Sequence, residues 1–172
     1  MEQQNQLSIT AHNSVEEKRE FYNIISKQAE ALIADNVHLV STLSNLSALL
    51  YQSLEDVNWV GFYLMEKGVL YLGPFQGNVA CVEIIEGKGV CGIAALKDQT
   101  IRVKDVHEFD GHIACDATTN SEIVIPIHFM GEVVAVLDID SRAFDRFDQE
   151  DQSGLEKVVK IVEKYWKPFF YE

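Results

Sequence analysis

Three cysteines, Cys81, Cys91 and Cys115, lie in the middle of a chain of 172 residues. An odd number cannot form a fully paired framework within one chain, so at least one must rest as a thiol. Their spacing, C-x9-C-x23-C, lacks the close C-x2-C pairs of a zinc module, and no metal site is expected. Transient thiol–disulfide chemistry is the alternative to a role as small buried apolar residues. Cys91 follows two glycines at the start of a short apolar segment that reads as a helix, and a helix N-terminus lowers a thiol pKa. Cys115 precedes Asp116, whose charge raises one. On these grounds alone Cys91 is the expected nucleophile.

A second group of reactive side chains is acidic. Asp138 and Asp140 are two apart in a β-prone run, so both side chains point to one face of a strand. Glu122 opens the preceding run, and in an antiparallel hairpin it falls at the same sheet end as the two aspartates. Carboxylates between Leu137 and Ile139 are either a solvated face or a binding site. Trp59 and Tyr63, four apart on an earlier strand, share one face and offer an apolar wall.

The elements that must position these groups are legible from periodicity. Residues 1–14 are polar and aperiodic and read as a loose arm. Helical spacing runs from Val15 to Ala34, then again from Val37 to Ser53 behind Asn36 as N-cap. A hairpin follows over 58–72, turning at Glu66-Lys67-Gly68, and Ala80 to Ile85 alternates like a third strand. Val90 to Leu96 reads as a short helix and Ile101-Arg102-Val103 as a short strand. Residues 104–121 form a long loop without pattern, of the kind that is usually functional. Strands at 122–129 and 132–140 turn at Met130-Gly131, with Pro126 marking an edge or a bulge. The last helix starts at Asp148, with Asp151 three residues on. The order predicts a single α+β domain over 15–172, a central antiparallel sheet of about six strands flanked by helices.

Composition removes several functions. The chain has 14 Lys+Arg against 27 Asp+Glu, a net charge of −13, which argues against nucleic-acid and anionic-membrane partners. No apolar run is long enough to span a bilayer and no basic-then-apolar signal opens the chain, so a cytoplasmic location is expected.

Seven ordered blocks carry a more specific signal. NWVGFYL (58–64), LGPFQG (72–77), AC (80–81), GKGVCG (87–92), GHIACD (111–116), NSEIVIPI (120–127) and VLDIDS (136–141) together resemble the free methionine-(R)-sulfoxide reductases, a GAF-domain family. Asn78-Val79 departs from the proline that family members often carry there. The resemblance implies a GAF-like fold and reduction of free L-methionine-(R)-sulfoxide without a cofactor. It makes Cys115 the attacking thiol, against the argument for Cys91, and leaves Cys81 and Cys91 as resolving or recycling partners. It also implies Glu122, Asp138 and Asp140 for the substrate amine, and Trp59, with Tyr63 beside it, for the substrate methyl. A thioredoxin-type reductant would recharge the disulfide, and the two leading helices suit a homodimer interface. A ligand-sensing GAF domain without catalysis is the alternative, but the chain lacks a phosphate-binding pattern of glycines and basic residues. His107 and His112 lie near Cys115, where His112 is expected only to hold its turn.

Overall fold

The computed structural model describes residues 8–35 and 38–166. Helices α1 (Val15–Ile33) and α2 (Leu39–Ser53) lead into strands β1 (Val57–Glu66), β2 (Val69–Gly77) and β3 (Glu83–Ile85). Helix α3 (Gly89–Lys97) and strand β4 (Ile101–Val103) follow, then β5 (Ser121–Phe129), β6 (Glu132–Ser141) and helix α4 (Gln149–Lys164). All neighbouring strands are antiparallel in a six-stranded sheet of order β3-β2-β1-β6-β5-β4. This is the expected α+β architecture.

Alternation sorts the sheet into two faces. Val60, Phe62, Ile123, Ile125, Leu137 and Ile139 point to α1, α2 and α4 and form the larger core. Trp59, Tyr63, Val124 and Val136 point the other way, toward α3, where Val90, Cys91, Ala94 and Ala95 cover them. The helices begin where local chemistry stops the chain. Ser14 and Glu17 close a capping box on α1, and Asp148 and Asp151 close one on α4. Asn36, expected to cap α2, lies outside the described residues. Among the described residues, no helix is long and apolar enough to cross a membrane.

Two expectations fail locally. Residues 8–14 are not a loose arm: Ile9 is 2% exposed, its N–H donates to the Ser53 carbonyl, and its own carbonyl accepts from Glu55. A single apolar side chain with backbone pairing anchors the segment, and such a contact leaves no periodicity to read. The third strand covers only Glu83–Ile85, not 80–85. Leu72 N–H still reaches the Val82 carbonyl, but Gly73 and Pro74 come next on β2, and proline has no N–H to continue the ladder. Residues 78–82 therefore leave the sheet as a loop carrying Cys81. Pro126 lies beyond the last β4 pairing at Val124, so β5 has no neighbour on that side there, and the register shifts just after, between Ile127 and His128.

A buried polar knot ties the helical face together. The Asp151 carboxylate accepts from Lys18 Nζ at 2.7 Å and Tyr22 Oη at 2.8 Å, with Arg146 Nη1 at 3.4 Å. Arg146 also donates to the carbonyls of Ile9 and Glu55, which pins the N-terminal segment. Lys18, Arg146 and Asp151 are each fully buried. Removing one partner from such a cluster leaves buried charge uncompensated, at about 3–5 kcal/mol. Asp151→Ala should therefore lower unfolding free energy by about 3–5 kcal/mol. Urea denaturation measures this, and a loss within ~0.5 kcal/mol would show the cations finding other partners.

Candidate active site

The register of the three central strands builds the site. Glu122 of β5 sits opposite Asp140 of β6, and Val124 opposite Asp138. On the other side of β6, Trp59 of β1 pairs with Asp140, Gly61 with Asp138 and Tyr63 with Val136. Trp59, Tyr63, Glu122, Asp138 and Asp140 thus share one face at one end of the sheet, as their spacing predicts. They line a cleft of about 510 Å³ counted to its open mouth. Cys91, Cys115, His112 and Ile113 complete its walls.

The apolar wall depends on a missing side chain. Trp59 stacks on Phe75 at 5.2 Å and on Tyr63 at 5.8 Å between ring centroids. Gly61, between Trp59 and Tyr63 on this face, allows it: a Cβ there would come within 2.5 Å of the Trp59 ring and 2.4 Å of Phe75 Cβ. The polar ends of the two rings hold the loop that leaves β2. Trp59 Nε1 donates to the Asn78 carbonyl at 3.1 Å, and Tyr63 Oη to the Cys81 carbonyl at 3.0 Å.

Cys81 is joined to Cys115 by a disulfide, with Cα atoms 5.5 Å apart. The bond links the short loop after β2 to the long loop before β5. Asp116 organises the second loop: one carboxylate oxygen accepts from Thr118 N–H and Oγ1, and the other from Asn58 and Asn78 at 3.4 and 3.3 Å. These bonds, Thr118 foremost, hold its carboxyl below the usual range.

Cys91 is the free cysteine, and its environment overturns the expectation that the start of α3 would activate it. It is 3% exposed, and burial, reinforced by the charges of Asp138, Glu122 and Asp140, pushes its thiol well above the ordinary value. A helix terminus contributes only about 0.3–1 kcal/mol, which three carboxylates outweigh. The opposition comes from β5 and β6, distant in sequence, so the local segment gives no hint of it.

The carboxyls perturb one another too. Burial, then Asp138 and Asp140, raise Glu122 well above the carboxylate range. Burial raises Asp138 to about 6, against the bonds from Glu122 and Cys91. Asp140, partly exposed to the cleft, is raised by burial and then by Asp138 and Asp116. Asp138 Oδ1 is buried without a hydrogen-bond partner. The cluster is built to receive a donor or a cation. His112, expected only to hold a turn, reaches this cluster: its Nε2 is 3.8 Å from Glu122 Oε2, and burial followed by the His107 charge lowers its pKa. Asn58 and Thr119 were also missed. They hydrogen-bond each other at 3.2 Å beneath the long loop, and the only hint was Asn58 opening an otherwise apolar strand.

A curled antiparallel sheet with α1, α2 and α4 on one face and a cleft beside α3 on the other is the plan of a GAF domain, and the GAF domain model matches residues 28–165. Free methionine-R-sulfoxide reductase of Escherichia coli is 51% identical over 158 residues, covering 89% of this chain and 96% of its own. The reduced form of fRMsr of Staphylococcus aureus superposes with a TM-score of 0.82 at 54% identity, over 84% of this chain and 94% of that one. Free methionine-R-sulfoxide reductase from Neisseria meningitidis, in complex with its substrate, gives 0.84 at 37% identity over 93% and 95%. Within the GAF-domain proteins, the chain belongs to the free methionine-R-sulfoxide reductase family.

The raised carboxyls set the sign of a pH effect. A folded-state pKa of about 6 for Asp138 means the folded protein keeps a proton that the unfolded chain, near pKa 3.9, has already lost. Stability without ligand should fall as pH rises from about 4 to about 6. Asp138→Asn should flatten that decline and leave the protein more stable than wild type at neutral pH. Urea unfolding across the window measures it. Equal slopes in both proteins would show that ionising the cluster costs nothing.

Proposed function

We propose that this enzyme reduces free L-methionine-(R)-sulfoxide to methionine, with Cys115 as nucleophile. The observation that carries the proposal is the Cys81–Cys115 disulfide at the lip of a cleft that also holds three buried carboxyls and an aromatic wall. The Cys115 thiolate attacks the sulfoxide sulfur and takes its oxygen as the S–O bond breaks. Methionine leaves and Cys115 becomes a sulfenic acid. The Cys81 thiol condenses with it, losing water and forming the disulfide, so two electrons pass from the thiol pair to the substrate. The pairing seen here supports Cys81 as the resolving partner. Cys91, buried beneath the carboxyls, then serves in later exchange.

Trp59 and Tyr63 pack on the substrate methyl group in this reading. Glu122, Asp138 and Asp140 bind its ammonium, and the proton shared among them is placed to meet the sulfoxide oxygen. A dithiol protein of the thioredoxin type reduces the disulfide, which is partly exposed. A cytoplasmic location keeps that reductant within reach. A homodimer through α1 and α2 also belongs to the reading, since Leu32, Val40 and Tyr51 leave apolar surface exposed there.

Cys115→Ser should abolish methionine formation even in a single turnover without any reductant. Cys81→Ser should still yield one methionine per chain, because sulfenate formation precedes disulfide exchange. Amino-acid analysis after incubation with the separated R and S epimers reads both results. One methionine per chain from Cys115→Ser moves the attack to another cysteine, and consumption of neither epimer by wild type defeats the reductase reading.

The amine reading has its own test. Charge-assisted hydrogen bonds contribute about 1.5–3 kcal/mol each, so Asp140→Asn should lower kcat/KM on the free substrate roughly ten- to a hundredfold. N-acetylation of the substrate removes the charge from the other side and should abolish most activity in wild type. Comparable rates on free and N-acetylated sulfoxide would show that the cluster does not read the amine.

A further inference from the structure

A thiol contributes little to holding an ammonium, yet Cys91 closes the carboxyl cluster from below. Ligand atoms of Cys91, Glu122 and Asp138 lie within 4.8 Å of one another, and all three residues are buried. Cys91 Sγ is 3.9 Å from Glu122 Oε1. Tetrahedral zinc, with Zn–S of about 2.3 Å and Zn–O of about 2.0–2.2 Å, places sulfur and oxygen ligands ~3.5 Å apart, so the Cys91–Glu122 pair must close by only a few tenths of an ångström. Asp138 is 6% exposed and its Oδ1 has no hydrogen-bond partner, leaving one buried carboxylate oxygen of the cluster without a donor.

We propose that Cys91, Glu122 and Asp138, with a water in the fourth position, form a binding site for a borderline-soft divalent cation of the zinc type. One thiolate and two carboxylates with an open fourth position suit such an ion, whereas calcium and magnesium take oxygen ligands. Cys91 binds as the thiolate and its proton leaves to solvent. The ion needs neither Cys81 nor Cys115, so it binds the form in which those two are joined. Because it fills the space assigned above to the substrate ammonium and engages Cys91, it is an inhibitor of the cleft rather than a cofactor. Only this competition rests on the reductase reading; the coordination stands apart from it.

Cobalt(II), added to the oxidised protein in which Cys91 is the free thiol, provides the test. The expected result is one equivalent bound, with a thiolate-to-cobalt charge-transfer band in the near ultraviolet and visible bands of tetrahedral intensity, both bleached by zinc. Cys91→Ser should remove the charge-transfer band, and Asp138→Asn should weaken binding at least ~10-fold. No charge-transfer band in wild type, or one unchanged in either variant, overturns the site; the wild-type spectrum decides even if a variant fails to fold. Methionine-(R)-sulfoxide should displace the cobalt at concentrations where the S epimer, an equal chelator in solution, does not. A Cys91-dependent band that neither epimer disturbs keeps the metal site and removes the amine reading instead.

Discussion

Three carboxyl groups packed on one face of a sheet cannot all carry charge without a cation among them, and the ligand side of this protein is arranged around that constraint. Glu122, Asp138 and Asp140 are close because strand register makes them so. Their mutual repulsion and burial hold protons on groups that would be ionised in water. The same field keeps Cys91 as a thiol. The disulfide stands at the lip of the cleft, while the free cysteine is buried in the cluster. Removing the acids would therefore alter the chemistry of a sulfur as well as the charge of the cleft.

The opposite face solves the converse problem. Lys18 and Arg146 are buried cations, and Asp151 answers both while helping to cap its own helix. The buried charges of the helical side are thus paired with one another, whereas the cleft side keeps an unpaired carboxylate oxygen. Where a fold leaves buried charge unanswered, it leaves room for a ligand.

Much of this was legible in the sequence because it follows from short-range geometry. Alternation placed Asp138 with Asp140 and Trp59 with Tyr63, and hairpin pairing brought Glu122 alongside. The spacing of Asp148 and Asp151 announced the last helix. What escaped depends on distant partners. Ile9 is one buried residue in an aperiodic stretch, held by an arginine far along the chain. The third strand loses its first residues because Pro74 sits on its neighbour. Cys91 was misjudged because its helix is local and its carboxylates are not. The place of His112 depends on how a patternless loop folds over the cleft.

The two sulfurs of the disulfide are mounted differently. Cys81 has its own carbonyl gripped by Tyr63 and the start of its loop, at Asn78, gripped by Trp59, both rooted in a central strand. Cys115 rides on a long loop fastened by Asp116 and by the disulfide itself. Opening the bond therefore releases one side only. The loop before β5 is thus stapled at Cys115 to a post that the central strand holds in place, and the staple crosses the mouth of the cleft.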